Sequence, residues 1–521
     1  MILDFSSQLH YFWALLPEIV VSVTALAVLL LDVFQRGSRG APSARWVGAL
    51  AVAGVIAAAI ANAWLLTVEV PGQNDMIAVD GFRVATNFII LGATALGLLF
   101  SFDWLDREGL RIGEYFFLVL MACVGMMMLG GTRDLIVLFV AVELMSISVY
   151  VLTGINRRDR RSSEAALKYF LMGAFASGFL LYGIALIFGA VGSTNLSLVT
   201  SEIVRGTEAG NPLLFAGVAL LLVGLGFKVS AVPFHAWTPD TYEGAPTPVT
   251  GFMAAGVKAA GFAAILRIVT IELAPAEPFW HGIVWWLAML TMIVPNLIAL
   301  AEDDVKRMLA YSSIAHAGYL LVGVSAGSSL GRSAALFYLG VYAIMTLGAF
   351  AVVYVVAGKG DSRSKLADFR GLGWRRPLLG AAFVVFLLSL AGFPPTGGFI
   401  GKLYLLSAAV EAGEVALAIT LVLTSLISYY YYLRVMWKMY FEAASDDAPD
   451  LDRSGPAFRF ATVVAVVALL AAGLFPGHAL RTVSEAAEGL TPRSAVVAPA
   501  IGQTNAVPPP TAVVHTPADR S

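Results

Sequence analysis

The stretch GLGFKVSAVPFHAWTPD (224–240) follows directly on the apolar run PLLFAGVALLLV (212–223). Together they have the length and composition of a membrane-spanning helix. Yet Lys228 lies deep in the segment, and Pro233 interrupts it. The chain around it explains the setting. Of 521 residues, 59% are hydrophobic and 13% charged, too few charges to cover a water-facing surface of this size. Apolar runs of membrane-spanning length recur along nearly the whole chain, so the fold class is an all-α polytopic membrane protein.

Fourteen apolar spans are predicted between residues 11 and 476. Two are too long. Residues 211–240 would form a helix of about 45 Å and 377–412 one of about 54 Å, against a hydrocarbon core of about 30 Å. Each contains a breaker: Pro233 in the first, and AGFPPTGGFIGK (391–402), with Pro394 and Pro395, in the second. Proline removes a backbone donor and clashes with the preceding turn. Spans seven and twelve are therefore read as discontinuous helices. Their separation by five spans predicts two inverted five-helix repeats, spans 4–8 and 9–13. The organisation that follows is a three-helix segment (1–112), a first repeat (113–270), an inverted second repeat (279–441), a last span (456–476) and a tail (477–521). That tail is rich in Pro, Thr and Ala and is expected to lack structure.

The positive-inside rule orients the spans. The loop after span one holds Arg36, Arg39 and Arg45; that after span five holds Arg157, Arg158, Arg160, Arg161 and Lys168; that after span eleven holds Lys359, Arg363, Lys365, Arg370, Arg375 and Arg376. The intervening loop TVEVPGQNDMIAVD (67–80) has no basic residue, and SEIVRGTEAG (201–210) only Arg205. Both termini are expected on the outer, periplasmic side of a bacterial inner membrane. The start, MILDFSSQLH, lacks the basic region of a cleaved signal peptide, so the first apolar stretch is read as a retained helix.

Several function classes are disfavoured. A net charge of −2 gives nucleic acid no electrostatic hold. The single cysteine, Cys123, cannot hold an iron–sulfur cluster or a structural zinc by itself. No dinucleotide fingerprint, P-loop, metal-spaced cluster or Ser–His–Asp set is found, and no cofactor is expected in this chain.

What remains is charge inside the membrane. Glu143 in LIVLFVAVELMSISVYVL (135–152), Lys228, Lys258 in GFMAAGVKAAGFAAIL (251–266) and Lys402 all fall within apolar spans. Each such charge costs at least about 2.5–3.5 kcal/mol on insertion scales. The chain has eight lysines against twenty-five arginines, yet lysine occupies the interior positions. Arginine stays charged, whereas a desolvated lysine can lose its proton near neutral pH, so the choice points to proton relay. Glu143 is expected to switch the charge of Lys228, with Ser146 and Tyr150 on the same helical face. Helix dipoles predict that Lys228, at the C-terminal end of a half-helix, keeps its proton. Lys402, near an N-terminal end, is expected to yield its own more readily. His235, at the first break, and His316, in YSSIAHAGYLLVG (311–323), are candidate further relays, with structural hydrogen bonding an equally open reading for each.

GFKVSAVPFHAWTPDTYEGAPTPVTGFMAAGVKAAGF (226–262), DDVKRMLAYSSIAHAGYLLVG (303–323) and SLAGFPPTGGFIGKLYLL (389–406) resemble the antiporter-like subunits of proton-pumping NADH:quinone oxidoreductase, respiratory complex I. The lack of a long lateral helix after the last span, and Lys402 in span twelve, resemble the subunit N branch of that family, the homologue of mitochondrial subunit 2. The resemblance implies that Glu143 and Lys228 form the coupling pair of one half-channel, Lys258 the central relay, and Lys402 the residue toward the exit. It also implies that flavin, iron–sulfur clusters and quinone chemistry lie in partner subunits of a respiratory-chain translocase. The alternatives are a subunit of a multisubunit cation/proton antiporter or membrane-bound hydrogenase, and a passive scaffold whose buried charges only join helices.

Overall fold

A computed structural model describes residues 8–35, 44–68, 76–110, 112–206, 210–444, 451 and 454–490. Apolar backbone in a membrane must bond within its own segment, and the described residues comply: they are helical, with no strand and three isolated bridges. Twelve helices among them are long and apolar enough to cross a membrane. The central ones are Thr247–Glu272 and Val305–Ser325, both wholly buried, and Ser329–Ala357. Leu16–Phe34, Arg160–Val191 and Pro456–Leu474 lie at the periphery, with most of their length open to the surroundings.

The two overlong segments are each divided. The first forms Pro212–Lys228, then eight residues of turn, then Trp237–Gly244. The second forms Pro377–Ala391 and Gly397–Glu411. In the first break the loosened backbone finds partners within the protein. Trp237 Nε1 donates to the Phe227 carbonyl at 3.1 Å, and the Val232 amide to Thr291 Oγ1 at 2.9 Å. In the second, Gly392 closes the half-helix at φ +86°, a left-handed cap that suits glycine. A Cβ there would also come within 2.8 Å of Lys402 Cδ.

Three features depart from the sequence expectation. Residues Pro476–Glu488, assigned above to an unstructured tail, form a helix that turns Ala486 and Ala487 inward; residues 491–521 lie outside the described set. Leu196–Arg205, within a stretch read as a loop, is an amphipathic helix capped by Asn195. Lys306, one residue before span ten as expected from the sequence (307–327), is in the first turn of Val305–Ser325 and only 1% exposed. Span boundaries blur where a cap residue and a polar first turn precede the apolar run.

Candidate functional site

Lys228 is the last residue of its half-helix and is 3% exposed. Its Nζ donates to Ser146 Oγ at 2.7 Å and to Tyr150 Oη at 3.3 Å. Both partners come from Leu135–Thr153, where their four-residue spacing sets them on one face. Glu143, on the same helix, is half-buried and accepts a hydrogen bond from Ser177 of Arg160–Val191, not from Lys228. Glu143 thus stands beside the lysine's partners, with no direct ion pair between the two.

Lys258 follows a π-turn, Met253–Val257, which re-aims the residues after it. At 1% exposure, its Nζ donates to both the carbonyl and the hydroxyl of Ser313 at 2.5 Å. Ser313 Oγ also accepts from Tyr342 at 2.7 Å. One turn beyond Lys258, Gly261 packs on the first break: a Cβ there would meet Val229 Cγ1 at 2.9 Å and Lys228 Cβ at 3.8 Å. Glycine at 261 therefore brings the helix of Lys258 against Lys228.

The helix Val305–Ser325 carries the next contacts. His316, 1% exposed, has Nδ1 at 2.6 Å from Tyr338 Oη and Nε2 at 3.2 Å from Tyr432 Oη. Tyr432 also bonds Ser312. Tyr319, three residues after His316, lies with its ring centroid 4.8 Å from Lys402 Nζ. Ser312, His316 and Tyr319 share one helical face, and the same helix carries Ser313, the partner of Lys258, and Tyr319, the neighbour of Lys402.

Lys402, 6% exposed, sits in the second turn of Gly397–Glu411. Its side chain reaches back across the break and donates to the Ala391 carbonyl at 2.9 Å. Helical side chains lean toward their own N-terminus, which makes this reach possible. The ammonium therefore meets the carbonyl end of Pro377–Ala391, and the dipole contrast with Lys228 expected above loses its geometric basis. His235 lies half-buried in the first break, its Nδ1 without a partner among the described residues, and it touches neither lysine's hydrogen bonds. Pro233, Pro394 and Pro395 all fall in the breaks.

The three lysines share a trait. Each donates to hydroxyls or carbonyls, and none forms an ion pair with a carboxylate among the described residues. Serine and tyrosine hydroxyls and a histidine can both donate and accept, so these partners can pass a proton. The sequence reading had not singled out Ser312, Ser313, Ser177, Tyr338, Tyr342 or Tyr432. The legible signal for two of them was the Tyr338–Tyr342 spacing, which puts two hydroxyls on one face of an apolar span. Among the described residues no group of three or more His, Cys, Asp or Glu could hold a metal, and Cys123 is buried and free.

Residues 132–428 match the family described as NADH:quinone oxidoreductase/Mrp antiporter, TM. The chain is 45% identical over 472 residues to the NADH-quinone oxidoreductase subunit N of Trichlorobacter lovleyi, covering 91% of this chain and 96% of that one. It is 44% identical over 497 residues to the subunit N of Gemmatimonas aurantiaca, covering 93% and 95%. A chain in respiratory complex I from Thermus thermophilus superposes with a TM-score of 0.75 at 36% identity, covering 90% of this chain and 100% of that chain. A chain of the Mrp complex from a Dietzia species gives a TM-score of 0.78 over 91% and 97%, at 24% identity, a likeness of fold alone. This chain belongs to the NADH:quinone oxidoreductase/Mrp antiporter transmembrane family, in the group of NADH-quinone oxidoreductase subunit N.

Proposed function

We propose that the chain is the proton-translocating membrane subunit N of an NADH:quinone oxidoreductase and moves protons through Glu143, Lys228, Lys258 and Lys402. The observation that carries this reading is the set of three nearly inaccessible lysines on neutral partners, hydroxyls at Lys228 and Lys258 and a carbonyl at Lys402, with none in an ion pair among the described residues. Ser146 and Tyr150 relay between Glu143 and Lys228; Ser313, Ser312, His316 and the tyrosines around it relay between Lys258 and Lys402. His235 serves at the first break, toward the cytoplasmic side.

The redox chemistry that drives the movement lies in partner subunits, which hold flavin, iron–sulfur clusters and quinone. Other membrane subunits of the complex flank this chain in the bilayer. Counting each broken helix once gives fourteen spans, with inverted repeats at 113–270 and 279–441. The chain sits in the bacterial inner membrane with both termini outside. A contact supports that orientation: Arg161, after the fifth span, donates to the Gly360 carbonyl, after the eleventh, at 2.9 Å, which sets two basic loops on one side. The antiporter and hydrogenase readings draw less support, because likeness of sequence is far greater to subunit N than to the Mrp chain.

The test is Lys258→Ala in the intact complex, reconstituted in proteoliposomes and driven by NADH. The complex should assemble, and proton translocation should fall about a hundredfold, the low end for loss of a proton-transfer group. Unchanged pumping per electron at an unchanged rate would establish the scaffold reading instead.

A further inference from the structure

The loop after the eleventh span folds back onto the starts of two interior helices. Asp361 Oδ2 accepts from the Thr247 amide and hydroxyl, both at 2.7 Å, and from Lys306 Nζ at 3.3 Å. Thr247 opens the helix of Lys258, and Lys306 lies in the first turn of the helix of Ser313. The other oxygen, Asp361 Oδ1, is buried and has no hydrogen-bond partner among the described residues. The residue borders a cavity of about 10 Å³, the space of a single water. Glu108, Asp159, Arg161 and Glu243 also line it, and the Arg161 side chain is 52% exposed, so the cavity lies close to the surface on the side read as cytoplasmic. We propose that Asp361, together with Lys306, is a proton-uptake site that feeds Lys258 from that side. The proposal rests on the relay reading above.

A structural clamp accounts for Oδ2 but leaves Oδ1 unexplained. A buried carboxylate oxygen without a donor is costly, and water in the adjoining cavity supplies one. Residue type points the same way. A clamp is best served by arginine, as in the pair Arg267–Asp80, whereas lysine at 306 keeps a proton it can give. The segment Trp237–Gly244 spans the interval to Lys258. Lys306 Nζ donates to the Ala245 carbonyl just past its end at 2.8 Å. Tyr242, one turn earlier, meets Ser313, which lies 2.5 Å from Lys258 Nζ. The step balances. The pair starts as carboxylate and ammonium, and Oδ1 takes a proton from hydronium in the cavity, leaving neutral water. Lys306 then passes one proton inward toward Ser313 and becomes a neutral amine. The Asp361 proton moves to that amine, which restores carboxylate and ammonium with one proton carried in.

The experiment uses the intact complex in proteoliposomes, with NADH added outside so that only complexes taking protons from the medium are driven. D361N should assemble, because asparagine suits the φ of +47° at this position and its side-chain oxygen can still accept from Thr247. In dilute external buffer its proton translocation should fall roughly tenfold, less than with Lys258→Ala because water can bridge part of the gap. Concentrated buffer should restore most of the rate, since a mobile acid can deliver to the cavity what the carboxyl had collected. D361E keeps a titratable carboxyl and should pump near the wild-type rate in dilute buffer. Wild-type pumping by D361N in dilute buffer overturns the proposal. So does a slow D361N that buffer does not rescue, which makes Asp361 a clamp only. If D361N does not assemble, D361E decides alone: a slow rate that buffer does not raise overturns the proposal. Each of these failures leaves the relay reading standing while Lys258→Ala still stops pumping; full pumping by Lys258→Ala removes that reading by itself.

Discussion

The rim joining residues 76–83 to 267–272 and the interior around Val305–Ser325 both bury positive charge, with different residue types and different partners. At the rim the cations are arginines on carboxylates. Arg267 Nη1 and Nη2 meet the two oxygens of Asp80 at 2.8 Å, and its Nε reaches the Gly130 carbonyl at 2.9 Å. Arg83 pairs with Glu18 at 2.8 Å and caps the Ala14 and Ala78 carbonyls. In the interior Lys228, Lys258 and Lys402 lie on hydroxyls and carbonyls, while Lys306, at the end of its helix, pairs with Asp361 at 3.3 Å. A guanidinium locked on a carboxylate holds elements together and has no proton to give. An ammonium on a hydroxyl keeps a route by which its proton can leave. The same class of charge thus does two jobs, distinguished by residue type and partner.

The contrast breaks first at Asp80. Asp80→Ala leaves Arg267 buried without its partner and should cost about 3–5 kcal/mol of stability, seen as a lower unfolding temperature and less assembled complex. Protons moved per electron in the complex that does assemble should not change. Burial pushes the Asp80 carboxyl up, but the charge and hydrogen bonds of Arg267, with the Arg83 amide, outweigh it and hold the group below the usual carboxylate range. Its folded value lies below the unfolded one, so the stabilisation is complete above about pH 4 and fades as pH falls through the folded value. The stability gap between wild type and Asp80→Ala should therefore be constant near neutrality and shrink only in acid. A gap that shrank on raising the pH would contradict the clamp.

Gly392→Ala sharpens the interior side. It forces a side chain into a left-handed cap and into the space of the Lys402 stem. A cost of about 1–3 kcal/mol is expected, together with slower pumping, because Lys402 must leave the Ala391 carbonyl. Pumping at the wild-type rate would show that the seat of Lys402 does not matter. The smallest effect is expected from Tyr432→Phe, which removes one hydroxyl from His316 and Ser312. A loss of roughly two- to fivefold in proton translocation is expected, since water can replace a lost bridge. No change at all would take Tyr432 out of the route.

The interior lysines and both breaks were legible in the sequence because a charge or a proline in an apolar run has few innocent explanations. Ser146 and Tyr150 were legible too, since helical spacing ties them to Glu143. Other parts were not. The direction in which Lys402 reaches depends on a side chain crossing a break, and spacing along the chain cannot show that. Asp80–Arg267 joins residues 187 apart in sequence, and each alone reads as an ordinary end-of-span charge. Lys306 was missed because a polar first turn hides burial that comes from packing against Ala245 and Asp361.

The claim that the interior lysines surrender their protons is tested most directly by Lys258→Arg in the reconstituted complex, scored as protons translocated per NADH oxidised. Arginine keeps the charge and can still bond Ser313, but it does not deprotonate in proteins. The account predicts an assembled complex whose proton yield or coupled rate falls as far as with Lys258→Ala. An arginine variant that pumps the full number of protons at the full rate would contradict it.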